Sequence, residues 1–190
     1  MTVILGIDPG LTRLGVGVIS HGPGRTVALL HVDVYTTPPG DDSAARIGAL
    51  SLQLETVLDT YQPDVVALER VFAQHNVRTV MGTAQISGVV LALAHARAIP
   101  VSLRTPSEVK AAVTGHGRAS KAQVGSLVQA ILGLDEIPKP ADAADALALA
   151  ITEAWRGVAP GSGSGAGVLT PAQQAWREAE AKAKRPRLKG

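Results

Sequence analysis

The sequence contains no cysteine. Disulfides, thiolate metal sites and cysteine nucleophiles are thereby excluded, while hard metals held by oxygen ligands remain open. No targeting leader is expected, since Met1 runs straight into a strand-like segment with no basic region or small-residue cleavage site. No apolar run reads as long enough to span a bilayer, so a cytoplasmic protein is expected. Internal repeats are absent. What the chain has in quantity is apolar side chains, 46% of 190 residues, ample for one core with a short appendage.

The net charge of +2 says little until it is mapped along the chain. Residues 70 to 121 carry seven bases (Arg70, Arg78, Arg97, Arg104, Lys110, Arg118, Lys121) against one acid, Glu108, a net of +6. The last twenty residues add a net of +4, and the remainder sums to −8. A basic middle thus accompanies an acidic remainder. Lys and Arg that neutralise phosphate are the main source of affinity for nucleic acid, although ordinary solvated faces would also produce this map.

Turn residues and hydrophobic periodicity divide the chain. Strands are expected at Val3 to Asp8, near Leu14 to Ser20 and at Thr26 to Thr37, joined by turns at Pro9-Gly10 and Gly22-Pro23-Gly24. Ile47, Leu50, Leu54, Val57 and Tyr61 recur at helical spacing, and Pro63 ends that helix. DVVALE, Asp64 to Glu69, suits a buried parallel strand. A helix rich in small residues follows from Val77 to Arg97, fit for close approach of another helix and so for a dimer interface. A fifth strand at Pro100 to Arg104 precedes helices near Pro106 to Val113, Ser120 to Leu132 and Ala141 to Trp155. GVAPGSGSGAG, 157 to 167, has the composition of a flexible linker, and a basic tail closes the chain. The expected organisation is one folded domain over 1–156 with linker and tail over 157–190. This element order gives an α/β protein, a five-stranded mixed sheet flanked by helices, with a ribonuclease H-like fold. If the first strand and DVVALE are parallel neighbours, Asp8 and Glu69 meet at their carboxyl ends.

Asp142 and Asp145 stand three apart in PADAADALALAI, which places both on one helix face. Two acids so close repel, and are tolerated in a solvated first turn, where the macrodipole favours anions, or around a cation. A plain acidic turn would explain that pair alone. Combined with Asp8 and Glu69 it points to phosphodiester hydrolysis, which uses carboxylates from separate elements to hold divalent ions. Asp8, Glu69, Asp142 and Asp145 are the candidate catalytic and metal-holding residues, with Mg²⁺ favoured, two ions to a site, and Mn²⁺ able to substitute.

These motifs resemble the RuvC-type Holliday junction resolvases. ILGIDPG at 4 to 10 with LGVGVI behind it is similar to the family's first motif, and QPDVVALERVF at 62 to 72 to its second. ADAADALALAI at 141 to 151 is similar to its third, and VKAAVTG at 109 to 115 with GRASKAQV at 117 to 124 to its basic DNA-binding stretch. The resemblance implies a homodimer that binds four-way junction DNA and nicks two strands of like polarity symmetrically, in recombination and repair. A branch-migration motor of the RuvA and RuvB type is implied as partner, and no membrane. Arg78, Lys110, Arg118 and Lys121 are expected at DNA phosphates. Phe72 is the only phenylalanine and sits in a polar stretch beside Glu69, which favours a wedge or stacking role on a base over a core role. The resemblance assigns no role to Arg70, His75 or His116.

Two other classes compete. An actin-like sugar kinase or ATPase opens with a similar strand, acid and glycine turn, but needs two such domains and a second phosphate loop. A DNA-binding module with a dead site accounts for the basic segment and not for the acids.

Overall fold

The computed structural model describes residues 1–71 and 77–157. They form β1 (Thr2–Asp8), β2 (Arg13–His21), β3 (Val27–Thr36), α1 (Ser43–Tyr61), β4 (Val65–Glu69), α2 (Val77–Ala96), β5 (Val101–Arg104), α3 (Pro106–Thr114), α4 (Lys121–Leu132) and α5 (Ala141–Arg156). The sheet order is β3-β2-β1-β4-β5. The first three strands are an antiparallel meander, and β4 and β5 continue the sheet in parallel with β1. This is the expected five-stranded mixed sheet, and it makes β1 and β4 neighbours.

Alternation along the strands decides which face each residue serves. Leu5 and Ile7 of β1, Leu14, Val16 and Val18 of β2, and Val66 and Leu68 of β4 belong to a core shared with α1 and α2. Ile4 and Ile19, with Val65 and Ala67, belong to the opposite core, which α3, α4 and α5 complete. By the same two-residue period Gly6 and Asp8 on β1, Gly15 and Gly17 on β2, and Glu69 on β4 fall on the α5 side. Because both faces are covered, β4 shows no alternation of polarity in sequence.

Helix α5 lies almost on the sheet backbone. A Cβ on Gly6 would stand 2.1 Å from the Ala146 carbonyl oxygen, and one on Gly15 would stand 2.2 Å from that of Asp142. The helix answers with small side chains: Ala143, Ala144, Ala146, Ala148 and Ala150 are all buried. Its far end is tied down by a buried ion pair between Arg104 of β5 and Glu153, at 2.6 Å. Arg104 also donates to the Gly157 carbonyl.

The expectation of no membrane-length apolar run needs correction. Thr79–Ala96 of α2 passes by length and composition, with a mean hydropathy of 1.3 over 18 residues. Thr83, Gln85, Ser87 and His95 break the run to the eye, while alanine, valine and leucine carry the average. Ile86, Val90 and Ala94 form one buried row on this helix, so that face is core, whereas Met81 and Leu91 are exposed.

Candidate active site

Register brings the first two acids together. Ile7 pairs with Leu68 across the parallel strands, so the next residues, Asp8 and Glu69, leave the sheet side by side at its carboxyl edge. Asp8 also lies opposite Gly15 on β2, and bare Gly15 lets the first turn of α5 settle there. Asp142 and Asp145 occupy that part of the helix, one turn apart. Asp8, Glu69 and Asp145 line one cavity of about 380 Å³, together with Arg70, Lys110 and Lys121. Asp142 stands at its margin, close enough to act on the charge of Asp8.

The electrostatics are those of crowded carboxylates. Burial, then the charges of Glu69, Asp145 and Asp142, push Asp8 up to about 7, with Lys121 opposing. Glu69 is also raised, first by burial and next by Asp145, while Lys121 and a hydrogen bond from Asp8 pull it back.

Two cations answer the helix acids. Lys121 Nζ donates to Asp145 Oδ2 at 2.7 Å, and this bond is the first cause of its raised pKa. Lys121 opens α4, behind a capping box made by Ser120 and Gln123. A helix N-terminus disfavours a cation, so Asp145 supplies the compensation. Arg13 Nε is 3.0 Å from Asp142 Oδ2. The angle makes no hydrogen bond, and that oxygen is buried without a hydrogen-bond partner. Among the described residues no three acids are grouped closely enough to form a ready-made metal cage.

The donor set nevertheless suits a hard divalent cation: every candidate ligand is a carboxylate, one carboxylate oxygen is an orphan, and Asp8 is charged only at the cost of repulsion. A cation in that place would satisfy all three conditions at once.

The basic segment divides by role. Arg70, Lys110 and Lys121 border the acids. Arg118 lies in a neighbouring depression with His116, whose Nδ1 accepts the Arg118 backbone N–H and so shapes the loop before α4. Arg97 and Arg104 are spent on Asp59 and Glu153, so the net of +6 overstates what is free for phosphate. Phe72, His75 and the tail from residue 158 lie outside the described residues, as does the side chain of Arg78. Arg13 is the functional neighbour that sequence reasoning missed. Its signal was parity, since it lies two residues from Gly15 on the strand that pairs with β1 and so shares the α5 face.

A family model for "Crossover junction endodeoxyribonuclease RuvC" matches residues 4–153. The chain belongs to the RuvC family. It is 54% identical to the crossover junction endodeoxyribonuclease RuvC of Pseudarthrobacter chlorophenolicus, over 97% of this chain and 98% of that one. Its identity to the RuvC of Streptomyces avermitilis is 59%, over 80% and 87% of the two chains. Among solved structures, that of T. thermophilus RuvC in complex with a Holliday junction substrate matches with a TM-score of 0.78 at 37% identity, covering 82% of this chain and 94% of that one. The yeast mitochondrial Holliday junction resolvase shares the fold at a TM-score of 0.60 and 18% identity. This RuvC family member is accordingly a DNA endonuclease of the crossover-junction type, and the sugar kinase, ATPase and inert-module readings fall away.

Proposed function

We propose that the enzyme resolves four-way junctions as a homodimer, with Asp8, Glu69, Asp142 and Asp145 as its catalytic, metal-holding set. The observation that carries this reading is the convergence of Asp8, Glu69 and Asp145 on one cavity that also holds Lys110 and Lys121. Acids to hold divalent ions and cations to hold phosphate then share one place. When bound, Mg²⁺ or Mn²⁺ would supply an activated water and stabilise the departing 3′ oxygen.

The chain's own residues do the rest. Asp8, Glu69, Asp142 and Asp145 would hold the cation, Asp142 through the oxygen that has no hydrogen-bond partner. Lys121 and Lys110 orient the strand, with Arg118 and Arg78 at phosphates farther along and Phe72 as a wedge at a base. Lys121 holds Asp145 in the metal-free protein, and a bound cation would compete with it for that carboxylate. Equivalent sites in a two-fold dimer would meet equivalent strands and nick them symmetrically. The exposed Met81 and Leu91 of α2 give that dimer an apolar face. The nuclease domain occupies 1–156 and the linker and tail 157–190, a division favoured by the end of the family match at 153. A cytoplasmic location and a RuvA and RuvB type motor as partner accord with the bacterial relatives.

The test compares the unmodified chain with Asp8→Asn on four-way, duplex and flap DNA, with and without Mg²⁺. Retained junction binding with cleavage lost is expected. Cleavage by Asp8→Asn at the unmodified rate sinks the assignment.

A further inference from the structure

Arg46, on α1, is 91% removed from solvent, at 9% exposure. A buried guanidinium ordinarily has a carboxylate beside it. Arg46 has none within ion-pair distance among the described residues. Its Nε donates to Thr37 Oγ1 at 2.9 Å and one terminal nitrogen to Thr12 Oγ1 at 2.8 Å. A guanidinium has about five N–H donors, so roughly three are left over. Arg46 lines a depression of about 940 Å³ together with Arg13, Thr12 and Ser43. The one acid in that lining, Asp41, is exposed.

This depression adjoins the acids. Thr79 and Thr83 line both it and the catalytic cavity. Arg13 links the two from the other side, because it borders the depression and pairs with Asp142. The two cavities are therefore adjacent, and the second holds a buried cation that has hydroxyl partners and no ion-paired acid among the described residues.

We infer that this depression is a second phosphate subsite, in which Arg46, assisted by Arg13, Thr12 and Ser43, takes a DNA backbone phosphate away from the one that is cut. A phosphate diester supplies the missing counter-charge and the planar acceptors that a guanidinium fork matches. Such a contact fixes the strand's register and carries no sequence information. The inference rests on the junction reading proposed above.

The test measures four-way junction binding in chelator, across a range of salt, for the full chain and two variants. Ser43→Glu puts a negative charge at the mouth from an exposed first-turn position, where a helix welcomes an acid, so the fold is spared. Arg46→Gln removes the cation itself. Both are expected to bind about ten-fold more weakly at low salt, and the slope of log K against log salt for Arg46→Gln should be shallower by about one. Neutral methylphosphonate linkages walked along the strand should reveal a position outside the cleaved one that matters for the unmodified chain and not for Ser43→Glu. Failure of the unmodified chain to bind junctions would defeat the functional reading. Normal binding and an unchanged methylphosphonate pattern in a folded Ser43→Glu would defeat the subsite, leaving Arg46 as a brace for the β1–β2 turn, whatever Arg46→Gln does to stability.

Discussion

Gly15 and the backbone of Asp142 are in direct contact, and a methyl group on the glycine would stand 2.2 Å from the Asp142 carbonyl oxygen. Gly15 is also the residue opposite Asp8 in the β1–β2 ladder. A missing side chain on one strand therefore sets how closely an acid from α5 approaches an acid from β1.

Gly15→Ala should accordingly injure chemistry more than recognition. The added methyl has backbone against it, so α5 must move, at a cost of about 1–3 kcal/mol in stability. A displacement near 1 Å at reacting groups can cost about a hundred-fold in rate. Junction cleavage is expected to fall about that far while binding changes only a few-fold, as read by single-turnover cleavage beside gel-shift titration. Equal losses in both would remove the spacer role.

The metal-free protein should lose stability as pH rises. Asp8 is held near 7 in the folded chain, above its ordinary value of 3.8. Between those values the folded state keeps a proton that the unfolded state has released, so the contribution is fully present below about 4 and gone above about 7. Thermal melts in chelator from pH 5 to 8 are expected to show a falling midpoint, worth on the order of a few kcal/mol. Asp8→Asn should flatten that fall. Excess Mg²⁺ should reverse it, because a cation binds the ionised carboxylates. A midpoint independent of pH in chelator would contradict the crowding of these acids.

Lys110→Ala and Lys121→Ala should each weaken junction binding and flatten its dependence on salt by about one charge. They should differ in a second readout. Lys121 neutralises Asp145 and Lys110 has no acid of its own among the ion pairs described, so Lys121→Ala alone should also alter the Mg²⁺ concentration needed for half-maximal cleavage. Identical metal curves for the two variants would mean that the Lys121–Asp145 bond has no bearing on the site.

Breaking the Arg104–Glu153 pair should be costly. Both partners are almost wholly buried, and Glu153 Oε1 already lacks a hydrogen-bond partner. Arg104→Met leaves a carboxylate stranded, a loss of about 3–5 kcal/mol, whereas Arg104→Met with Glu153→Leu should recover most of it. Urea unfolding measures both. If the double variant is no better than the single, the penalty is one of packing and not of charge.

The sequence alone determined the elements and the family they belong to. Periodicity, proline stops and glycine turns placed the strands and helices within a few residues, because those signals are local. They also named the acids, since carboxylates after a strand and at a helix start are visible in a linear chain. Tertiary structure decided the rest: that Asp142 sits at the margin with Arg13 while Asp145 takes Lys121, that Arg97 and Arg104 of the basic segment are occupied by structural acids, and that Arg46 has no ion-paired acid among the described residues. Such pairings join residues far apart in the chain. Those of Asp142 and Asp145 depend on how closely α5 lies on Gly6 and Gly15, and a contact fixed by three-dimensional packing leaves no period in one dimension.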